Sequence, residues 1–236
     1  MPESVRNGDE LEIFAEAKNW KAYFRLFLPP LAGKRVLEVG AGIGGTTSSL
    51  CSGDEQLWLC LEPDRRLLSE LESLISGKVL PRCCQAQAGT VRETQGDARF
   101  DTILYIDVLE HIEDDAAELR AASRLLAQGG RLIVLAPAYS WLYSNFDRSI
   151  GHFRRYSAAT LANLTPPGLE IESSVYLDAL GILPSLANRI LLRQALPTVK
   201  QIRFWDRNLV PATRLLDRLL GYRVGRSIVC IWRPRP

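Results

Sequence analysis

The segment Val36-Leu37-Glu38-Val39-Gly40-Ala41-Gly42-Ile43-Gly44-Gly45 has the residue types of a ligand turn, and a second acid, Glu62, stands at the end of the next apolar run. Glycine lets backbone approach a ligand closely. The helix start beyond such a turn offers unpaired N–H groups, and an acid ending the next strand can accept hydrogen bonds from ribose hydroxyls. Gly40, Gly42 and Gly45 also fit the dinucleotide spacing, in which a pyrophosphate rests on the helix start. Glu38, two residues before Gly40, discriminates. It would repel a pyrophosphate, but it can hold an ammonium group directly or through water. The pattern therefore favours S-adenosylmethionine over a nicotinamide cofactor.

A second group lies in Ala136–Tyr156, dense in aromatic and basic residues. Methyl transfer from a sulfonium is an in-line displacement that placement alone can largely catalyse, and a base matters only if the acceptor must lose a proton. His152, in Asp147-Arg148-Ser149-Ile150-Gly151-His152-Phe153-Arg154-Arg155-Tyr156, is the first candidate base, against a purely structural histidine. His111, after Glu110, is the second; the alternative is that it orders the cofactor turn. Arg154 and Arg155 would hold an acidic acceptor group or pair with Asp107, Glu110, Glu113 or Asp147. Tyr139, Trp141, Tyr143, Phe146 and Tyr156 read as an aromatic acceptor wall or as loop packing.

These residues need a scaffold. Residues 10–28 read as an amphipathic helix stopped by Pro29-Pro30. Lys34–Val39, Leu57–Leu61, Thr102–Ile106 and Arg131–Leu135 are short apolar strands, separated by helices over Thr46–Cys51, Leu67–Ile75 and Asp114–Leu126, the last closed by Gly129-Gly130. Alternating strands and helices predict a parallel sheet covered on both faces, with the ligand beyond the strands' carboxyl ends. Leu169–Leu177 and Arg226–Trp232 read as two further strands, with helices over Asp178–Leu196 and about 201–221 between them. Leu180, Leu183, Leu186, Ile190, Leu191, Leu209, Leu215, Leu216 and Leu219 suit, in order, a lid, a dimer face, or a membrane surface with Arg189, Arg193, Arg203 and Arg207 near anionic lipid.

Composition narrows the class. At 47% hydrophobic residues the chain can build a full core, and its net charge of +2 provides no electrostatic footprint for nucleic acid. Cys51, Cys60, Cys83, Cys84 and Cys230 lack CxxC spacing and there are two histidines, so no metal site is expected. The polar N-terminus does not resemble a signal peptide, and no apolar run reaches the roughly 18 residues of a membrane span. A cytoplasmic protein is expected, monomer or homodimer.

VLEVGAGIGG, LEPD, FDTILYIDVLEHIEDD and LLAQGGRLIVLAP resemble the ordered motifs of class I S-adenosylmethionine-dependent methyltransferases, over about residues 15–160. LYSNFDRSIGHFRRYS and GRSIVCIWR are similar to a bacterial subgroup of type 11/12-like methyltransferases. The resemblance implies a doubly wound α/β fold: a seven-stranded, mostly parallel sheet with the last strand antiparallel. It places Glu38, Gly40, Ala41, Gly42 and Gly44 at the methionine end of the cofactor, Glu62 on ribose, and Gly89-Thr90 at adenine, where relatives carry an Asp. Asp107 would lie beside the methionine, and Asn19 and Trp20 where relatives carry an Asn-aromatic pair near the cofactor. The expected organisation is a catalytic domain of 1–177 and 222–236 with a helical cap, 178–221, inserted between the last two strands. The expected function is methyl transfer to a small-molecule acceptor, on oxygen ahead of nitrogen or carbon. The rivals are a cofactor-binding protein that transfers no methyl and a nicotinamide-dependent oxidoreductase. A lipid-linked acceptor belongs to the membrane reading of the cap.

Overall fold

Apolar runs bracketed by glycine or polar residues form the strands of one sheet. The computed structural model describes residues 9–94, 99–192 and 194–235. The N-terminal stretch before Asp9, and Arg193 of the basic set, lie outside them. The strands are β1 (Arg35–Val39), β2 (Leu57–Glu62), β3 (Cys84–Ala88), β4 (Phe100–Ile106), β5 (Leu126–Pro137), β6 (Leu169–Leu177) and β7 (Ser227–Pro234). They form a seven-stranded sheet in the order β3-β2-β1-β4-β5-β7-β6. β1 to β5 pair in parallel, and β7 runs antiparallel to β5 and β6. β1 lies between β2 and β4, so the strand order reverses there and a crevice opens beyond its carboxyl end. That is where the glycine turn stands.

Because successive side chains alternate across a strand, Val36 and Leu37 feed two separate cores. Val36 joins Trp20, Phe24, Leu50, Trp58, Leu71 and Ile133 on one face; Leu37 joins Phe100, Tyr105, Leu119, Leu161 and Trp232 on the other. The helices are α1 (Asp9–Ala15), α2 (Lys18–Phe24), α3 (Thr47–Leu50), α4 (Arg65–Ser76), α5 (Asp115–Ser123), α6 (Asn145–Ser149), α7 (Ala158–Asn163), α8 (Ile182–Ala187), α9 (Val199–Phe204) and α10 (Val210–Leu219). No helix among the described residues is long and apolar enough to cross a membrane.

The predicted helix over 10–28 is divided at Ala17, whose ψ of 63° leaves the helical region. The break frees the amides of Asn19 and Trp20, and the Asp206 carboxylate accepts from both, at 3.1 and 2.8 Å. Gly129-Gly130 does not close α5. β5 has already begun at Leu126, and the pairing with β4 shifts register between Phe100 and Thr102. The two glycines form this bulge: Gly129 has φ 73°, and a Cβ on Gly130 would come 3.0 Å from the Phe100 carbonyl. The 136–156 loop contains α6, which a Ser144/Asp147 capping box starts.

Residues 178–221 do carry helices between β6 and β7. α8 runs on into a π-helical stretch, Asn188–Leu192, and α9 into α10 through another, Trp205–Leu209. Buried aspartates bind this segment to the rest. Asp217 accepts from the Asp178 and Ala179 amides and from the Tyr23 hydroxyl. Asp178 accepts from Trp205 Nε1 and pairs with Arg226. Ile202, Trp205 and Val210 belong to the same buried cluster as Val36.

Candidate active site

The turn after β1 depends on glycine for two different reasons. Gly40 has φ 66°, and a Cβ there would lie within 2.8 Å of a Val108 methyl. Gly44, φ 77°, faces Leu71, Leu74 and Leu80, so its requirement comes from packing behind the turn. Gly42 lies under Leu11 of α1. Glu62 holds the turn's shape: Oε2 accepts the Gly42 amide at 2.8 Å and Oε1 the Asp64 amide at 2.9 Å. Burial raises its pKa despite those bonds. Each oxygen keeps a second lone pair for a ribose hydroxyl. Gly89 follows β3, its N–H on the Glu62 carbonyl, and the Thr90 amide is bonded to Glu93.

Glu38 is buried inside β1, its Oε2 accepting from Thr47 Oγ1 at 2.6 Å and Trp58 Nε1 at 2.7 Å. Burial pushes its pKa up to about 7, against the pull of those donors and of Lys21. Lys21, on α2, is half-buried, and burial lowers its pKa while Glu38, Asp107 and Asp206 oppose the shift. A side chain at Gly45 would meet Lys21 Nζ at 3.2 Å, so this cation stands over the glycine turn. Asp107 ends β4 at φ 54°, enclosed by the walls yet open to the space between them. Enclosure raises its pKa, with Arg226, His152, Lys21 and Arg155 opposing.

A cavity of about 590 Å³ runs from Gly40, Ala41 and Gly45 past Asp107 to Glu110, His111, His152 and Arg155. Its far wall comes from the helical segment between β6 and β7: Pro184, Asn188, Ile202, Phe204, Trp205 and Leu209. His152 Nδ1 is 3.0 Å from Asp147 Oδ1, and Arg155 grips both oxygens of Asp147 at 2.8 and 3.0 Å. Burial alone would raise the Asp147 pKa; the bonds from His152 and Arg155 bring it down to about 2. An ionised carboxylate only accepts, so Nδ1 donates to it, and in the neutral ring Nε2 is the nitrogen that keeps its lone pair. Glu110 is fully buried, and among the described residues neither oxygen has a hydrogen-bond partner. Burial, and then the charge of Asp107, put its pKa well above the usual range. Burial, and then His152, push His111 down to about 4.

The cavity thus unites Gly40, Ala41, Asp107, Trp20, His111, His152 and Arg155. Gly42, Gly44, Glu62, Gly89 and Thr90 lie off its walls, at the turn's far side and the ends of β2 and β3. Asn19 gives its side-chain amide to Asp206. Four residues expected at the acceptor are committed elsewhere. Tyr139 stacks between Trp141 and Tyr176, and Tyr143 donates to the His152 carbonyl at 2.6 Å. Tyr156 donates to Asp115, which also pairs with Arg154 at 2.6 Å. Of the expected aromatic group, Phe146 does line the cavity, beside Phe14, Trp20, Phe24, Phe204 and Trp205. Lys21, Arg226 and the unpaired state of Glu110 were not foreseen. Lys21 directly follows the Asn19-Trp20 pair and Glu110 adjoins His111; Arg226 has no sequence signal.

A parallel sheet reversing at β1, a glycine turn there and an acid ending β2 define a doubly wound binding fold for an adenosyl cofactor. The methyltransferase domain family matches residues 13–166, and the chain belongs to it, a class I S-adenosylmethionine-dependent methyltransferase. A ubiquinone biosynthesis O-methyltransferase of Xanthomonas euvesicatoria pv. vesicatoria (strain 85-10) is 35% identical over 105 residues, 44% of this chain and 43% of that one. The chain thus spans less than half the length of this relative. Among solved structures, a methyltransferase in complex with the Haloferax volcanii Trm112 activator superposes with a TM-score of 0.66 at 16% identity, covering 99% of this chain and 100% of that one. The N-methyltransferase NodS of Bradyrhizobium japonicum WM9, in complex with S-adenosyl-L-homocysteine, gives 0.58 at 14% identity, covering 99% and 93%. At these identities the likeness shows the fold.

Proposed function

We propose that the chain transfers the methyl group of S-adenosylmethionine to a hydroxyl oxygen of a small, aromatic acceptor. One observation carries this reading: a single cavity joins the β1 turn to a histidine whose Nε2 lone pair is fixed toward it by Asp147. The methionine end would rest on Gly40 and Ala41, its carboxylate by Lys21 and its ammonium by Asp107, with Glu38 acting through water. Glu62 would take the ribose and Gly89-Thr90 the adenine edge. The acceptor ring would fill the aromatic wall, and residues 182–209 would close over it and exclude water. The acceptor oxygen attacks the methyl carbon, the C–S bond breaks with its electron pair going to sulfur, and the hydroxyl proton passes to Nε2 of His152. Neutral S-adenosylhomocysteine leaves. The O-methyltransferase name of the relative supports oxygen as the target atom.

The test offers methyl-labelled cofactor with matched phenols and anilines. Label is expected on the phenols. Label on anilines alone would overturn the oxygen assignment.

A further inference from the structure

We propose that Glu110, His111 and His152 bind a divalent transition-metal ion at the acceptor end of the cavity. One ligand atom from each lies within 4.8 Å of the others. Glu110 Oε1 and His152 Nε2 are 3.8 Å apart. Ligands on a tetrahedral ion with bonds of about 2.1 Å sit roughly 3.4 Å apart, so small side-chain movements complete the site.

The second, independent observation is the state of Glu110. It has 0% exposure, and neither oxygen has a hydrogen-bond partner among the described residues. Burying a carboxyl unbonded is expensive, and neither cofactor binding nor a histidine base requires it. A cation supplies the missing partner. The neighbours fit too. Nδ1 of His152 bonded to Asp147 is the outer-shell carboxylate that orients metal-bound imidazoles. The two arginines of the cavity are engaged, Arg155 by Asp147 and Arg226 by Asp178, and Lys21 stands over the glycine turn. Two imidazoles and one carboxylate suit zinc, iron(II) or manganese better than magnesium or calcium, and leave positions open. The expectation of no metal site rested on cysteine spacing and on having two histidines. The fold brings both histidines together, ring centroids 4.5 Å apart.

The role of the ion rests on the O-methyl reading; the site itself does not. An open position would take the acceptor's hydroxyl oxygen and acidify it. Its proton would then leave to water as the acceptor binds, and His152 would serve as a ligand in place of a base.

The probe is Co2+, titrated into metal-free, tag-free protein and followed by visible absorption. One equivalent should bind with nitrogen and oxygen ligation, and Glu110→Gln and His111→Gln should each weaken it at least about tenfold. S-adenosylhomocysteine binding by the same variants reports that they fold. Absence of saturable binding overturns the site. So does binding that both variants retain with thiolate-to-cobalt bands, which would place the ion at Cys51, Cys83 and Cys84. Chelation should abolish methyl transfer to a phenol, with recovery on adding Zn2+. Transfer that survives full chelation overturns the ion's role and leaves O-methylation standing.

Discussion

Nε2 of His152 faces Oε1 of Glu110 across 3.8 Å, inside the cavity that opens beside Gly40. Backbone sets this meeting of two distant residues. The Phe153 amide donates to the Glu110 carbonyl at 2.8 Å and the His152 amide to the Asp147 carbonyl at 2.9 Å. Tyr156 fastens the same loop to the Leu109 carbonyl. The loop after β5 is therefore strapped to the end of β4, the neighbour of β1 in the sheet.

S-adenosylhomocysteine should bind and NAD should not, by calorimetry. Gly40 and Ala41 offer close backbone approach, but Glu38 and Asp107 add negative charge beside the turn, where a pyrophosphate would have to sit. NAD binding without any response to S-adenosylhomocysteine would show that the turn serves a dinucleotide.

Glu62→Ala should weaken S-adenosylhomocysteine binding by about 1–3 kcal/mol. The change strips acceptors from the Gly42 and Asp64 amides and removes the proposed ribose contact at once. Calorimetry on the folded variant checks it; parental affinity would mean that the ribose lies elsewhere.

Most strands were legible because runs such as Leu57–Leu61 are apolar throughout, as strands of a covered parallel sheet are; β3, Cys84–Ala88, alternates with glutamines at the sheet edge and had no such run to mark it. The glycine turn and Glu62 were legible because backbone geometry demands those residue types locally. What failed was contact over distance and the choice of face. Asp206 reaches Asn19 across 187 residues, a pairing no local pattern encodes. The loop's tyrosines were visible as a composition, but Tyr139, at φ 63°, stacks on Tyr176 and stays off the cavity wall. Gly129-Gly130 carries the same signal as a helix end and as a bulge; pairing with β4 decided it.

Glu38→Gln should flatten part of the pH dependence of stability. Burial lifts the folded pKa to about 7 from the 4.5 of a free glutamate, so the native state binds the proton more tightly. That contribution is fully present below about 4.5 and is lost as pH rises through about 7, worth up to about 3 kcal/mol. Gln can still accept from Thr47 and Trp58 but cannot ionise. Urea unfolding at pH 5 and pH 8 should show a smaller difference for the variant than for the parent. Identical differences would mean that Glu38 ionises freely in the fold.

Phe204→Asp should damage acceptor use while leaving S-adenosylhomocysteine binding nearly intact. Leu183 and Leu186, which helical spacing puts among the lid positions, are poor probes: Leu183 is 63% exposed, and neither lines the cavity. Phe204 is 59% exposed yet on the cavity wall, so replacing it costs little core packing. It sits on α9, whereas the glycine turn and Glu62 belong to the sheet, so the charge would fall on the acceptor side. Aspartate there would wet an apolar wall and sit poorly beside an aromatic ring. The expected result is a KM for the phenol raised roughly tenfold or more, equivalent to about 1.4 kcal/mol of lost binding, with cofactor affinity unchanged. If the variant loses the cofactor and the acceptor equally, α9 closes over the cofactor rather than over the acceptor.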